Sequence, residues 1–219
     1  MRLVWLLIAA LAPAGHGQGS AAAGPVIQMD YANPGLSPSQ WTITLRPDGT
    51  GHFRSQMGSP SDGEREAIHT PPVNRDFQVS AEFAAETFAA AGRHKWFNEA
   101  CESHLKVAFQ GWKTFTYTGP QGAGACTFNY SRDKEVQTLA ESMEAVAETI
   151  LEGARLETLL QHDRLGLDAE IEFLADAAED GRAQQLCAIR EILERLAQDD
   201  QVLERVRKRA RALLERAAT

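Results

Sequence analysis

Apolar and polar residues alternate with a period of two through much of the first half of the chain, and repeat every three to four residues after Asp133. Trp41, Ile43 and Leu45 alternate with Thr42 and Thr44, which predicts a half-buried strand. Arg46-Pro47-Asp48-Gly49 is a turn signal, with proline preset for the second position and glycine closing it. Thr50 to Gln56 returns as the partner strand, anchored by Phe53, and Phe77 and Val79 add a short strand. Gly24 to Gln40, rich in Gly, Pro and Ser, reads as an irregular lead-in, and Met57 to Asn74 as a long loop. Ser80 is an N-cap for a helix over Ala81 to Ala91, with Gly92 as its stop. Trp96 and Phe97 then cover the end of that helix's core.

The stretch from Cys101 to Tyr130 reads as three strands. Leu105, Val107 and Phe109 alternate with Lys106, Ala108 and Gln110; Phe115 and Tyr117 alternate with Thr114 and Thr116. A two-residue turn at Gln110-Gly111 would put Leu105 and Val107 on the face of the threonines. A three-residue loop, Phe109-Gln110-Gly111, gives one apolar face and a left-handed position for Gly111. It also leaves Phe109 and Trp112 at an exposed hairpin tip. Gly119 to Gly124 forms a turn, and Ala125 to Tyr130 the third strand, with Cys126, Phe128 and Tyr130 on one side.

Beyond Asp133 the helical period takes over. Val136, Leu139, Met143, Val146 and Ile150 line one helix; Gly153 interrupts it before Leu156, Leu159 and Leu160. Gly166 and Asp168 mark a break and a cap. Ile171, Leu174, Ala175 and Ala178 carry the next helix to Gly181, Leu186 to Leu196 another, and Leu203 to Leu214 the last. The fold class expected is α+β: an N-terminal antiparallel sheet of two hairpins plus a strand with one packed helix over 24–132, then a bundle of about four helices over 133–219.

Arg2 and the apolar run Leu3 to Ala12, followed by small residues, read as a secretory signal over 1–23, with cleavage after Ala14, Gly17 or Ala23. Ten apolar residues are too few for a bilayer, which needs roughly 20. The mature chain is therefore expected to be secreted or periplasmic, with no transmembrane segment. In an oxidising compartment the three cysteines suggest one disulfide, Cys101–Cys126, which closes a loop worth about 3 kcal/mol on the chain-entropy argument, with Cys187 left over in a helix. A net charge of −8 disfavours nucleic acid as a partner.

Candidate chemistry is sparse. Cys101, His104 and Cys126 have spacing that permits zinc, and Cys101 with His104 a nucleophile pair, but both need free thiols. His162, Asp163, Asp168 and Glu170 cluster at a helix junction; general acid/base work is one reading, and a cap with local ion pairs the other. No Gly-rich phosphate loop, Gly-x-Ser-x-Gly or His-Glu-x-x-His is present. The last helix carries Arg205, Arg207, Lys208, Arg209, Arg211 and Arg216, a basic face for anionic lipid, an acidic partner, or Glu170, Glu172, Asp176, Glu179 and Asp180 across the bundle. Trp41, Phe109, Gln110 and Trp112 offer an aromatic contact surface. The expectation is a non-catalytic module acting by protein–protein contact, with Phe109, Trp112, Arg207 and Arg211 as binding residues and no cofactor. A hydrolase-like or metal-dependent enzyme using His104 or His162, and an envelope-associated structural protein, are the competing readings.

Three segments carry a resemblance: Cys101 to Gly119, Cys126 to Lys134 and His162 to Glu170 are similar to a group of exported bacterial proteins of no known activity. That resemblance implies an autonomous exported module and no particular chemistry. The helices around Leu193 and Val206 to Leu214 weakly resemble half of a HEAT-type repeat, over about one repeat. Thiol titration of unreduced, denatured protein should find one thiol per chain; three would return the metal and nucleophile readings.

Overall fold

The computed structural model describes residues 24–56 and 71–218. Six strands form one antiparallel sheet: β1 (Val26–Ala32), β2 (Gln40–Leu45), β3 (Thr50–Ser55), β4 (Asn74–Gln78), β5 (Trp112–Gly119) and β6 (Gly122–Phe128), in the spatial order β4-β3-β2-β1-β5-β6. The alternation decides the faces. In register across the sheet run Phe53, Ile43, Met29, Phe115 and Cys126, all buried on the inner face. Offset by one residue along each strand, Arg54, Thr42, Asp30, Thr114 and Thr127 form a polar row on the outer face. Such one-sided burial is the ordinary solution for an antiparallel sheet.

Two helices cover the inner face. Helix α1 (Ala81–Arg93) starts at Ser80, whose Oγ accepts from the Phe83 amide at 3.1 Å. Gly92 does not stop it; the helix ends one residue later, capped by His94. Helix α2 (Lys134–His162) starts at Asp133, which accepts from the amides of Glu135 and Val136. At 29 residues it is about 43 Å long. Its residues from Val136 to Ala154 pack in the sheet's core, and from Leu156 onward they belong to a second core with α3 (Leu167–Glu179), α4 (Arg190–Gln198) and α5 (Glu204–Arg216). The two hydrophobic clusters therefore part inside α2.

Gly153 was expected to interrupt this helix and does not. A Cβ there would meet Ile189 Cγ2 at 2.4 Å and Ile189 Cβ at 3.0 Å, so the glycine marks a close approach of the 3-10 turn Leu186–Ile189 to α2. Asp168 is likewise not a cap: Gly166 holds that position without a side-chain bond, and Asp168 instead receives Arg205 and Arg209 at 2.7 and 2.9 Å.

The sheet departs from expectation at two places. Val26–Ala32, inside the expected lead-in, is a strand at the centre of the sheet, paired on both sides. Leu105 to Phe109 is not a strand, and no hairpin turns at Phe109-Gln110-Gly111. The reason is positional. β5 already has β1 on one side and β6 on the other, which leaves no ladder for a third partner. His104 adopts a left-handed φ of 54°, and the Val107 amide donates to the Leu105 carbonyl at 3.0 Å, a local turn that breaks extension. The second expected turn does form, and more tightly: β5 and β6 pair around Pro120-Gln121, so that β6 spans Gly122–Phe128 rather than Ala125 to Tyr130.

The chain between α1 and β5 crosses the inner face of the sheet over β6 and β5. Lys95, Trp96 and Phe97 are all left-handed, and the turn drives Trp96 onto Tyr117 (4.4 Å between ring centres) and Phe97 onto Phe115 (4.7 Å). These rings thus fill the sheet's core, where only the end of the helix core was expected. A Cβ at Gly124 of β6 would lie 2.3 Å from the Trp96 carbonyl oxygen, so only glycine admits the crossing. The Cys101–Cys126 disulfide then ties the segment down, with Cα atoms 5.7 Å apart.

Gly153→Ala should destabilise by about 1–3 kcal/mol despite the better helix propensity of alanine, because Ile189 has no room to retreat. That corresponds to a melting point lower by roughly 2–4 °C per kcal/mol at this size. Ile189→Ala in the same chain should recover part of the loss; an unchanged melting point for the single variant would refute the close contact.

Candidate functional site

The end of the sheet where β1 leaves and β5 enters carries the largest exposed side chains of this half. Phe109 and Trp112 are 50% and 49% exposed and meet edge to face at 6.0 Å; Leu36, in the β1–β2 connection, is 53% exposed. Trp41, expected on the same surface, points the other way: it is buried and stacks on Tyr31 at 4.9 Å.

Irregular backbone holds Phe109 in place through side chains rather than through a ladder. Asn129 acts as a clasp, its Oδ1 accepting from the Gln110 amide at 2.7 Å and its Nδ2 donating to the Ala108 carbonyl at 3.3 Å. The Asn129 amide in turn donates to Glu102 Oε2 at 2.7 Å, and Glu102 Oε1 accepts from the His104 amide at 2.9 Å. Burial would raise the Glu102 carboxyl, but these amide bonds outweigh it and hold the group below the usual carboxylate range. Tyr31 donates its hydroxyl to the Gln110 carbonyl at 2.8 Å.

Behind Trp112, on the inner face, lies Lys113, only 1% exposed. Its Nζ donates to the Asn129 carbonyl at 3.2 Å, lies 3.4 Å from Glu144 of α2, and sits 5.9 Å from the Tyr31 ring centre. Burial pushes the Glu144 carboxyl up, against the pull of Lys113. A buried pair of this kind fixes geometry more surely than it adds stability. It locks the start of β5 to α2, so Trp112 stands on backbone that is held from behind.

On the outer face the same end forms a cleft of about 330 Å³. Its floor follows from the register: Ala32 of β1 lies between Gln40 of β2 and Trp112 of β5, a small residue between two large ones. Gln56 Nε2 donates to Gln40 Oε1 at 2.8 Å to build one wall, and Trp112 forms the other. Asp30 and Arg54 stand one row further in. Asp30 is already engaged, accepting from Thr42 at 2.7 Å and from Gln28 at 2.8 Å.

The other residues singled out from the sequence are dispersed. Cys101 and Cys126 are bonded to each other, which removes the thiolates that zinc or nucleophilic chemistry would need. His104 is exposed on the irregular segment, and His162 is the last residue of α2, exposed at the far end of the bundle. Among the described residues no group of three or more His, Cys, Asp or Glu is placed to hold a metal ion. On α5, Arg207 and Arg211 both pair with Glu204 of their own helix, at 2.5 and 2.8 Å, while Arg205 and Arg209 face Asp168 and Arg209 also reaches Glu172 at 3.0 Å. Much of the basic face is thus turned to partners within the chain.

Three buried ionisable groups among the described residues escaped the sequence reading. His94, at the end of α1, lies between Glu99 (2.9 Å) and Glu135 (3.0 Å), with Asp133 at 3.6 Å. Burial would lower its ring, but the carboxylates outweigh it and raise it. Lys113 is the second. Glu152 is the third: 1% exposed on α2, its Oε1 takes Arg155 Nη1 at 2.9 Å while its Oε2 meets no donor, and the same Arg155 nitrogen reaches Glu170 at 3.4 Å. Burial first, then the neighbouring Glu170, push the Glu152 carboxyl up to about 9. A signal did exist for two of them. Lys113 is in phase with Phe115 and Tyr117, and Glu152 stands four residues before Leu156 on the apolar side of its helix.

No protein-family model matches the chain, and no curated protein matches it. Among the described residues no helix is long and apolar enough to cross a membrane.

Glu152 makes a pH prediction. Its folded pKa lies above the unfolded value near 4.5, so its contribution is full below about pH 4.5 and is lost as pH rises through about 9. Over that window the group adds a slope of about 1.4 kcal/mol per pH unit toward lower stability. Glu152→Gln mimics the protonated carboxyl and removes the slope. Its stability relative to wild type should rise from pH 6 to 9 in denaturant titrations; parallel curves would show that the carboxyl is ionised throughout.

Proposed function

We propose that this protein is an exported, non-catalytic module that acts by contact with another protein, in the periplasm or outside the cell, through the end of the sheet that carries Phe109 and Trp112. The observation that carries the reading is that edge-to-face aromatic pair, half exposed on backbone fixed by the Asn129 clasp and the buried Lys113. Side chains that are already ordered lose little entropy on binding, and aromatic anchors dominate interface energies. Leu36 and Val107 extend the apolar area at the same end.

Export is supported by the disulfide, which persists in oxidising compartments. The leader read at 1–23 lies outside the described residues.

The test is capture of partners from the envelope and secreted fractions by full-length protein, wild type against Trp112→Ala. Trp112 is half exposed, so truncation should leave the melting point within about 2 °C, since surface changes fall within ±0.5 kcal/mol. Retention of a specific protein by wild type should fall at least tenfold in the variant. Equal retention by both would remove this surface from the function.

A further inference from the structure

We infer that the cleft floored by Ala32 is an acceptor site for an acidic peptide segment of the partner, with Arg54 taking a carboxylate while Trp112 and Phe109 take an apolar side chain. This rests on the reading of the sheet end as the recognition surface, and adds the chemistry of what is recognised.

The argument begins with donors and acceptors. Thr42 and Gln28 occupy Asp30, and the Gln56 amide occupies the Gln40 carbonyl oxygen. Among the described residues the Arg54 side chain has no ion-pair or hydrogen-bond partner. What remains for a ligand is the Arg54 guanidinium, the Gln40 amide nitrogen and the Trp112 indole N–H as donors, with the Gln56 carbonyl oxygen as acceptor; Thr42 and Gln28 are neutral, so Asp30 keeps its negative charge two strands from Arg54. Arg54 is the one cation that lines the cleft and it lacks a partner among the described residues; guanidinium is the side chain best shaped for a carboxylate, which is held there at the β3 side, away from Asp30.

The apolar surroundings choose between peptide and saccharide. An indole beside planar polar groups suits a sugar ring as well as a side chain. Leu36 and Val107, exposed at the same end, offer nothing to a hydroxylated ring and much to an aliphatic or aromatic side chain. The main chain of β1, β2 and β5 is already paired within the sheet, so the peptide is not added as a strand; it lies across the face and is read by side chains. Arg54 on β3 and Trp112 on β5 are three strand spacings apart and two residues out of register, about 16 Å at roughly 4.8 Å per spacing and about 3.3 Å per residue. An extended peptide covers that distance in about four or five residues.

The experiment uses the full-length protein on a biosensor against synthetic dodecapeptides. Each holds one Leu or Phe and one Glu four or five positions apart; matched sets carry Gln or Lys in place of Glu, and a galacturonic acid hexamer is a separate arm. Wild type should bind the Glu peptides at least tenfold tighter than the Gln peptides. Arg54→Gln should abolish that ratio while keeping the preference for the apolar residue, and Arg54→Glu should shift it toward the Lys peptides. Ala32→Leu, which fills the cleft without removing a polar group, should weaken the Glu peptides at least fivefold. Equal binding of Glu and Gln peptides by wild type, lost in Trp112→Ala, would overturn the acidic-peptide assignment and leave the recognition surface standing. Binding of the hexamer with no peptide bound would overturn it in favour of a saccharide. Peptide binding unaffected by both Trp112→Ala and Arg54→Gln would overturn the inference and the surface together.

Discussion

One constraint organises this molecule: a six-stranded antiparallel sheet with a single apolar face must have that face covered, and α2 is the element long enough to cover it and still reach the bundle. Ile27, Met29, Ile43, Phe53, Phe115 and Phe128 are fully buried, and Val136, Met143, Val146 and Ile150 of α2 meet them in the same cluster. At roughly 1.5–3 kcal/mol for burying each large side chain, this interface outweighs any hydrogen bond or ion pair in the structure. The helix then runs on without a break, so the packing of α3, α4 and α5 inherits its direction from the sheet. Gly153 sits where the two cores meet, and its missing side chain lets the turn before α4 close on the helix.

The polar groups buried along this axis mark where two elements must hold a fixed relation. Lys113 and Glu144 join β5 to α2; His94, with Glu99 and Glu135, joins the ends of α1 and α2; Thr149 joins α2 to the chain before α4 through the Gln184 carbonyl at 2.7 Å. Ser80 is reached from the same region, its amide donating to Gln185 Oε1 at 2.8 Å. Each link costs desolvation and returns specificity of arrangement, which is the best-attested use of buried polar groups.

Much of this fold was legible in the residue pattern, and the exceptions have physical reasons. The β2–β3 hairpin, the Ser80 cap and the four helical faces of the C-terminal half follow from periodicity and turn chemistry that act locally. The central strand β1 carries the same signal, with Ile27, Met29 and Tyr31 against Gln28 and Asp30, but averaging over the Gly- and Pro-rich window around it conceals it. The opposite error at Leu105 to Phe109 is more instructive. Its alternation is real, yet strand formation needs a free ladder, and the neighbours of β5 are fixed by residues 80 positions away. The disulfide was legible because the spacing and the compartment expected from the sequence sufficed. Phe109 and Trp112 were expected at an exposed tip and are exposed, Phe109 on a clasped loop and Trp112 at the start of β5. Their cleft was not legible, because its floor depends on Ala32 lying opposite both Gln40 and Trp112.

The left-handed turn at Lys95–Phe97 has a consequence for how this protein behaves in a crowd. Chains in a crowd adhere through apolar surface that one of them leaves bare, and here the crossing segment is what covers the β6 side of the inner face. Gly124 pairs with Tyr117 on that face, and its missing side chain leaves room for the Trp96 carbonyl, while Phe97 lies on Phe115. The sulfur bridge pins the far end of this cover through Cys126, buried on the same face. Reduction would therefore do more than loosen a loop: it would release the cover over rings that other molecules could then reach.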